Sequence, residues 1–288
     1  MQRRLKSHEI EVALEVQPNF GRNVQKGNVG EVTAWVDGAP TNRAESVRQN
    51  VLGVHDNFLQ EQARKSPVRF PGQPAVELQT RFAYNPAFES IYAIVPSVPA
   101  ILLILIPAIL MAVSIVREKE LGSIINFYVT PTRRLEFLVG KQLPYIVIGM
   151  INYAVLLLMA VVVFGVPLKG SGWMLTLCTL LYVTATTALG MLVAAFTSSQ
   201  VAAVFITAIL TILPTTQFSG LLQPVSTLEG SARIFGTLWP TSYYMHASVG
   251  AFTKGLGADG LLMDALALAA FIPILIGIGV AGLPRQEV

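Results

Sequence analysis

Two kinds of spacing divide this chain. Up to about residue 89, apolar residues alternate with polar ones or recur every three to four positions; beyond it they run together in long uniform blocks. Residues 9–16 (EIEVALEV) alternate as a half-exposed strand does, and residues 31–36 (EVTAWV) do so again before the turn residues Asp37 and Gly38. Asn42 is placed to cap a helix running to about Lys65, with Val47, Val51, Val54 and Phe58 at helical spacing. Residues 76–82 (VELQTRF) read as a further strand. The pattern predicts a small mixed α/β domain over residues 1–89 with an incomplete strand count.

A helix needs roughly 20 apolar residues to cross a bilayer. Five segments reach that length, near residues 91–116, 144–165, 173–195, 201–222 and 262–284, within a transmembrane domain covering 90–288. The predicted fold is therefore an α-helical integral membrane protein carrying an α/β domain at its N-terminus. Pro96, Pro99 and Pro107 fall inside the first span, where neighbouring helices are expected to bond the carbonyls that proline frees. Asp264 lies near the start of the last span and is expected at the interface.

Composition strengthens the membrane reading. The chain is 53% hydrophobic and 13% charged, with mean hydropathy +0.58, against about 25% charged in a soluble domain. Eleven of the twenty Lys and Arg lie in residues 1–89, and residues 170–228 hold no charge. Basic span flanks account for the high pI, and no basic patch interleaved with aromatics points to nucleic acid.

The positions of Lys and Arg set the orientation. Loop 117–143 carries Arg117, Lys119, Arg133, Arg134 and Lys141, whereas 166–172 carries only Lys169 and 223–261 only Arg233 and Lys254. The first of these loops is expected in the cytoplasm, with the C-terminus on the same side and residues 1–89 outside. Nothing near Arg3 and Arg4 resembles a signal peptide, so a preceding membrane helix is expected to deliver that domain.

Catalytic chemistry finds little to stand on. Gly255, Gly257 and Gly260 match G-x-G-x-x-G, but they precede a span and follow no strand, so a dinucleotide site fails its context. Before Gly140-Lys141, Leu135 stands where a phosphate-binding loop needs glycine. His8, His55 and His246 are scattered and read as surface or interface residues, and the lone Cys178 as a packing residue. No nucleophile and base come together. Thr207, Thr211 and Thr215 share one face of the fourth span with Gln217 nearby, and Thr176, Thr179 and Thr186 give the third a weaker stripe. Such hydroxyls either pack helices together or line a substrate path.

The most informative stretch is VREKELGSIINFYVTPTRR, residues 116–134. Five cations fit a cytoplasmic flank, but Glu118, Glu120 and the cluster Ile124, Ile125, Phe127, Tyr128 and Val129 exceed what a flank needs. A short amphipathic helix is expected here, ended at Thr130 by Pro131, with Thr132 capping a second helix into the next span. It suits either the lipid surface or a groove on a soluble partner.

Arg117-Glu118-Lys119-Glu120-Leu121-Gly122-Ser123, then Thr130-Pro131, then Gly140-Lys141, resembles the signature of ABC-2 type transporter permeases. Residues 16–20 (VQPNF), 36–38 (VDG) and Trp239-Pro240 are similar to members of that family as well. The resemblance implies six membrane helices, an external domain between the first and second, and a cytoplasmic coupling helix after the second. Only five spans are present, so the resemblance also implies that the first helix is missing.

It further implies an exporter of the bacterial inner membrane. A partner ATP-binding subunit would bind ATP and Mg and hydrolyse the ATP, and this chain would be no enzyme and hold no cofactor or metal of its own. A second permease half, identical or different, would complete the unit within membrane lipid. On this reading Arg117, Glu118, Glu120, Gly122, Thr130 and Pro131 couple to the ATPase, and Thr207, Thr211, Thr215 and Gln217 are the candidate substrate path. The rival is a non-transporting anchor or receptor that recruits a cytoplasmic ATPase.

Overall fold

The computed structural model describes residues 4–5, 10–25, 29–39, 41–65, 76–84, 89–122, 134–222, 225 and 228–282. They form two compact units, residues 1–93 and 94–288.

In the first unit, β1 (Val12–Val16) pairs antiparallel with β2 (Gly30–Asp37), and β2 pairs parallel with β3 (Val76–Ala83). A short helix, α1 (Phe20–Gln25), links the first two strands. A parallel pair needs a crossover, which α2 (Thr41–Lys65) supplies. The alternation read from the sequence puts Ala34 and Val36 on the buried face, and Val36 packs with Ala44 and Val47 of α2 beside Val12 and Val51.

The apolar stripe of α2 is only half used. Val47 is buried, but Val54 and Phe58 are exposed within this unit. On the same helix the Arg48 guanidinium donates two hydrogen bonds to Glu45, at 2.7 and 3.0 Å, and Gln49 adds a third. These bonds favour the ionised carboxylate and hold its pKa down to about 2.

Among its described residues, the second unit contains five helices long and apolar enough to cross a membrane. These are α3 (Ile91–Glu120), α4 (Arg134–Leu158, continued by a π-helical turn over Met159–Val163), α5 (Gly172–Phe196), α6 (Gln200–Phe218) and α9 (Ala258–Gly282). Between α6 and α9 lie α7 (Gly230–Thr237) and α8 (Pro240–Val249), the latter running into a π-helical turn at Gly250–Lys254. The described residues are thus mostly helical, with five candidate membrane helices among them.

The centre of the bundle is α5, which packs on α9, α4, α8 and α6. Small residues allow this. A Cβ on Gly190 would lie 2.2 Å from the Ala108 carbonyl oxygen of α3, so only glycine lets the two backbones approach so closely. Each proline in α3 removes one donor from the helix ladder. Pro107 frees the Leu103 carbonyl, which instead accepts a 3.1 Å hydrogen bond from the Thr186 hydroxyl of α5. The expected repair of a proline break by a neighbouring helix is therefore present at this position.

Gly255, at φ +62°, ends the π-helical turn before α9. The element preceding the G-x-G-x-x-G match is helical, so the strand a dinucleotide site requires is absent there.

Candidate functional site

At the end of α3, Glu118, Lys119 and Glu120 each reach a different helix. Glu118 forms a 2.5 Å ion pair with Lys141 of α4, and Lys141 also donates to the Ser114 carbonyl at 2.8 Å. Lys141 stands 5.4 Å from the Phe137 ring centroid as well. The two helices that flank residues 121–133 are thereby tied at their bases.

Lys119 turns towards the end of α5. A helix leaves its last four carbonyls without intrahelical donors. The Lys119 ammonium donates to the carbonyls of Ala194, Ala195 (3.1 Å) and Thr197 (3.2 Å), while the Thr197 hydroxyl donates to Val193 at 3.0 Å. Glu120 faces the start of α6. Its carboxylate accepts the Gln200 backbone N–H at 2.7 Å and the Gln200 side-chain amide. Ser199, which occupies the N-cap position of α6, makes no capping hydrogen bond through its side chain.

Gly122 closes α3 in the left-handed region at φ +70°, donating to the Lys119 carbonyl at 3.2 Å, and Arg117 is exposed. Thr130, Pro131, the amphipathic helix expected over 122–129 and the Thr132 cap lie outside the described residues, apart from Gly122 itself.

Within the bundle, Thr207, Thr211 and Thr215 of α6 are fully buried along one face. Thr211 donates to the Thr207 carbonyl at 2.7 Å, and the Thr207 hydroxyl has no hydrogen-bond partner among the described residues. Gln217 does not join them. Two residues beyond Thr215 is about 200° around a helix, and Gln217 is exposed.

Thr215 belongs to a network that crosses several helices. It meets the Thr241 hydroxyl at 3.3 Å and accepts the Trp239 indole N–H at 3.1 Å. The Tyr182 hydroxyl, near the middle of α5, lies 3.0 Å from Thr241 and donates to the Ala100 carbonyl of α3 at 2.7 Å. Its ring stacks on Tyr244 at 4.3 Å, and the Tyr244 hydroxyl meets Thr179 at 3.1 Å. Gln142 of α4 bonds the Thr184 carbonyl and the Thr187 hydroxyl, each at 2.8 Å. Hydroxyl bonds of this kind between membrane helices contribute about 0.6–2 kcal/mol apiece.

Near the start of α9, His246 Nδ1 lies 2.7 Å from Asp264 Oδ2. Asp264 is only 7% exposed, so it sits within the packed protein and joins α8 to α9. Sequence reasoning missed this pair because eighteen residues separate its members. A carboxylate inside an apolar span was the available signal, since such a group needs a partner.

No metal-ligating cluster occurs among the described residues. The described residues thus place five helices long and apolar enough to cross a membrane beside a charged cluster at the base of the 121–133 connection, with His246 and Asp264 as a further polar pair.

The chain belongs to the ABC-2 family: the model described as "ABC-2 family transporter protein" matches residues 1–281. It is similar to the probable multidrug ABC transporter permease YbhS of Escherichia coli K12, with 25% identity over 276 residues, 96% of this chain and 73% of that protein. The probable multidrug ABC transporter permease YbhR of the same strain is 23% identical over 210 residues, 73% of this chain and 56% of that protein. The inner membrane transport permease YhhJ, also of that strain, is 24% identical over 267 residues, 90% of this chain and 68% of that protein. No solved structure matches the chain. The protein is a transmembrane permease of the ABC transporter class, and membership of this family implies an ATPase partner.

Proposed function

We propose that this chain is the membrane subunit of an ATP-driven exporter in a bacterial inner membrane, working with a second permease half and driven by ATP and Mg bound in a partner subunit. Residues 117–143 face the cytoplasm, and residues 1–89 lie outside. The observation that carries this reading is the braced base of the 121–133 connection. Glu118 with Lys141 fixes one flanking helix to the other, and Lys119 with Glu120 fixes α3 to the α5–α6 turn. A segment mounted in this way can pass a push from a soluble motor into the bundle through a braced base.

Arg117, Glu118, Glu120, Gly122, Thr130 and Pro131 form the coupling region. The two glutamates act first on their own chain, setting the attitude of the segment that meets the ATPase. Thr207, Thr211 and Thr215 line the substrate path only when α6 parts from its neighbours, because all three hydroxyl side chains are buried in this arrangement. The "multidrug" in the names of two relatives and the mixture of Thr, Leu and aromatic groups favour amphipathic small molecules as cargo.

Inside-out membrane vesicles containing the native complex test this reading with the dye Hoechst 33342. The expected result is ATP-dependent accumulation that falls severalfold in the Glu118→Ala/Glu120→Ala double variant, with the protein still in the membrane. Vesicles that bind the ATPase yet move neither this dye nor a panel of lipophilic cations and labelled lipids on addition of ATP would favour the anchor reading.

A further inference from the structure

We infer that Lys119 and Glu120 are positioning residues that form a two-pronged clip, by which α3 carries the α5–α6 turn and hands motion of the 121–133 connection directly to α5 and α6. The inference rests on the coupling role proposed above and identifies where the transmitted motion goes.

The argument begins with helix ends. The C-terminus of α5 and the N-terminus of α6 are separated only by residues 197–199. A helix C-terminus carries partial negative charge and an N-terminus partial positive charge. Two consecutive residues of α3 supply an ammonium to the first and a carboxylate to the second, so both signs match. The bonds also fill vacancies. Ala194 and Ala195 are among the carbonyls that α5 cannot satisfy internally, and the Gln200 N–H is one of the donors that α6 leaves free. Ser199 makes no such bond through its side chain, so the cap of α6 comes from another span.

Apolar packing runs in parallel with the polar contacts. Beneath the clip, Met111, Ala112, Ile115 and Val116 of α3 pack with Met191 and Ala194 of α5 and Ala203 of α6 in one buried cluster. The end of α3 and the α5–α6 turn therefore have both a core and a pair of charge-assisted caps in common. Displacing α3 without the turn would strip donors from α5 and an acceptor from α6 together. Moving them as one body keeps these caps and this cluster intact.

Electron paramagnetic resonance on the native complex in nanodiscs tests the clip. The single cysteine, Cys178, is replaced by Ala, and spin labels are placed in two separate pairs. The first pair, at Leu121 and Val201, spans the clip; both residues are exposed. The second, at Val162 in the π-helical turn after α4 and at Leu222 just beyond the end of α6, reports on the opposite ends of those helices, and both residues are again exposed.

In the parent, the 121–201 distance stays narrow and unchanged between the nucleotide-free and ATP–vanadate states, while the 162–222 distance shifts. In the Lys119→Met/Glu120→Gln variant the 121–201 distribution broadens and the ATP-driven 162–222 shift is lost. Restoring the charges as Lys119→Arg/Glu120→Asp recovers part of that shift, which a purely structural defect would not predict. The inference is overturned if ATP alters the 121–201 distance in the parent, or if the Met/Gln variant keeps the full 162–222 shift. A parent in which ATP moves neither pair defeats the coupling reading and the relay with it, whereas broadening in the Met/Gln variant would still establish the clip as a contact.

Discussion

The two halves of the bundle are tied by different chemistry. Where α3 ends and α5 turns into α6, the ties are charged: Lys119, Glu120, and Glu118 with Lys141. Towards the other end they are mostly neutral hydroxyls and aromatic rings, with Tyr182, Tyr244, Thr179, Thr215, Thr241 and Trp239 bonding across α3, α5, α6 and α8. His246 with Asp264 adds an acid–base pair there. Charge-assisted bonds are stronger than neutral ones but depend on water and salt at their exposed edges. Neutral bonds in an apolar interior are weaker singly and insensitive to salt. The charged half can therefore respond to a soluble partner, while the neutral half holds the helices together whatever the ionic conditions.

Both halves depend on α3 and α5 touching, and the largest predicted effect comes from separating them. Gly190→Ala places a methyl carbon 2.2 Å from the Ala108 carbonyl oxygen, a backbone atom that cannot swing aside. Relieving the clash moves one helix against the other, disturbing the Lys119 caps at one end and the Thr186 and Tyr182 bonds at the other. A loss of about 2–4 kcal/mol is expected, measured as unfolding in detergent or by steric trapping. Gly140→Ala is the control, since a Cβ there meets nothing within 4 Å. Equal losses in the two variants would show that the close approach is not what holds the halves in register.

Tyr182→Phe probes the neutral half alone. It deletes one hydroxyl that bonds both the Ala100 carbonyl and the Thr241 hydroxyl, and leaves the stacked ring in place. The expected cost is about 1–2 kcal/mol, as for a buried hydrogen bond that serves two partners. It should be the same at low and high salt. A salt-dependent loss would contradict the assignment of this half to neutral bonding.

Element type was legible in the chain because the period of the hydrophobic pattern is a local property. Residues 31–36 alternate and became a strand, and the five long apolar blocks became five long helices; four have limits within a few residues of those expected, while α4 begins at Arg134, ten residues before the expected 144, because the short helix expected to lead into that span is continuous with it. Burial was less legible. In an 18-residue apolar stretch of α5, 72% of the residues are buried, against only 17% in such a stretch of α4 and its π-helical continuation, though both are long apolar helices of similar length. Periodicity cannot separate a helix enclosed by protein from one that faces lipid, because both surroundings reward apolar side chains. The glycines were a partial signal: Gly190 marks a close approach but does not say to which helix.

The candidate site was half legible for the same reason. Glu118 and Glu120 stood out as unneeded in a basic flank, yet their partners, Lys141 and Gln200, are set by tertiary contact. Lys119 read as one more flanking cation, and its role as a cap for α5 depends on a helix end 75 residues away. The threonine face on α6 followed from spacing. Gln217 was grouped with it by proximity in sequence and separated from it by the helical rotation.

The smallest predicted effect isolates one charged tie. Glu118 and Lys141 retain 33% and 14% side-chain exposure, so water reaches the pair and weakens it. A coupling energy of about 0.5–1 kcal/mol is expected from a double-mutant cycle of Glu118→Gln and Lys141→Met. The Lys141 variant also disturbs bonds outside the pair, because Lys141 holds the Ser114 carbonyl and lies near Phe137. The cycle cancels those contributions, and the coupling term alone should shrink as salt rises from 0.05 to about 0.5 M, where the Debye length falls to about 4 Å. A coupling that survives high salt undiminished would mean that the pair is shielded as the interior bonds are. The contrast between the two halves would then rest on the caps supplied by Lys119 and Glu120 alone.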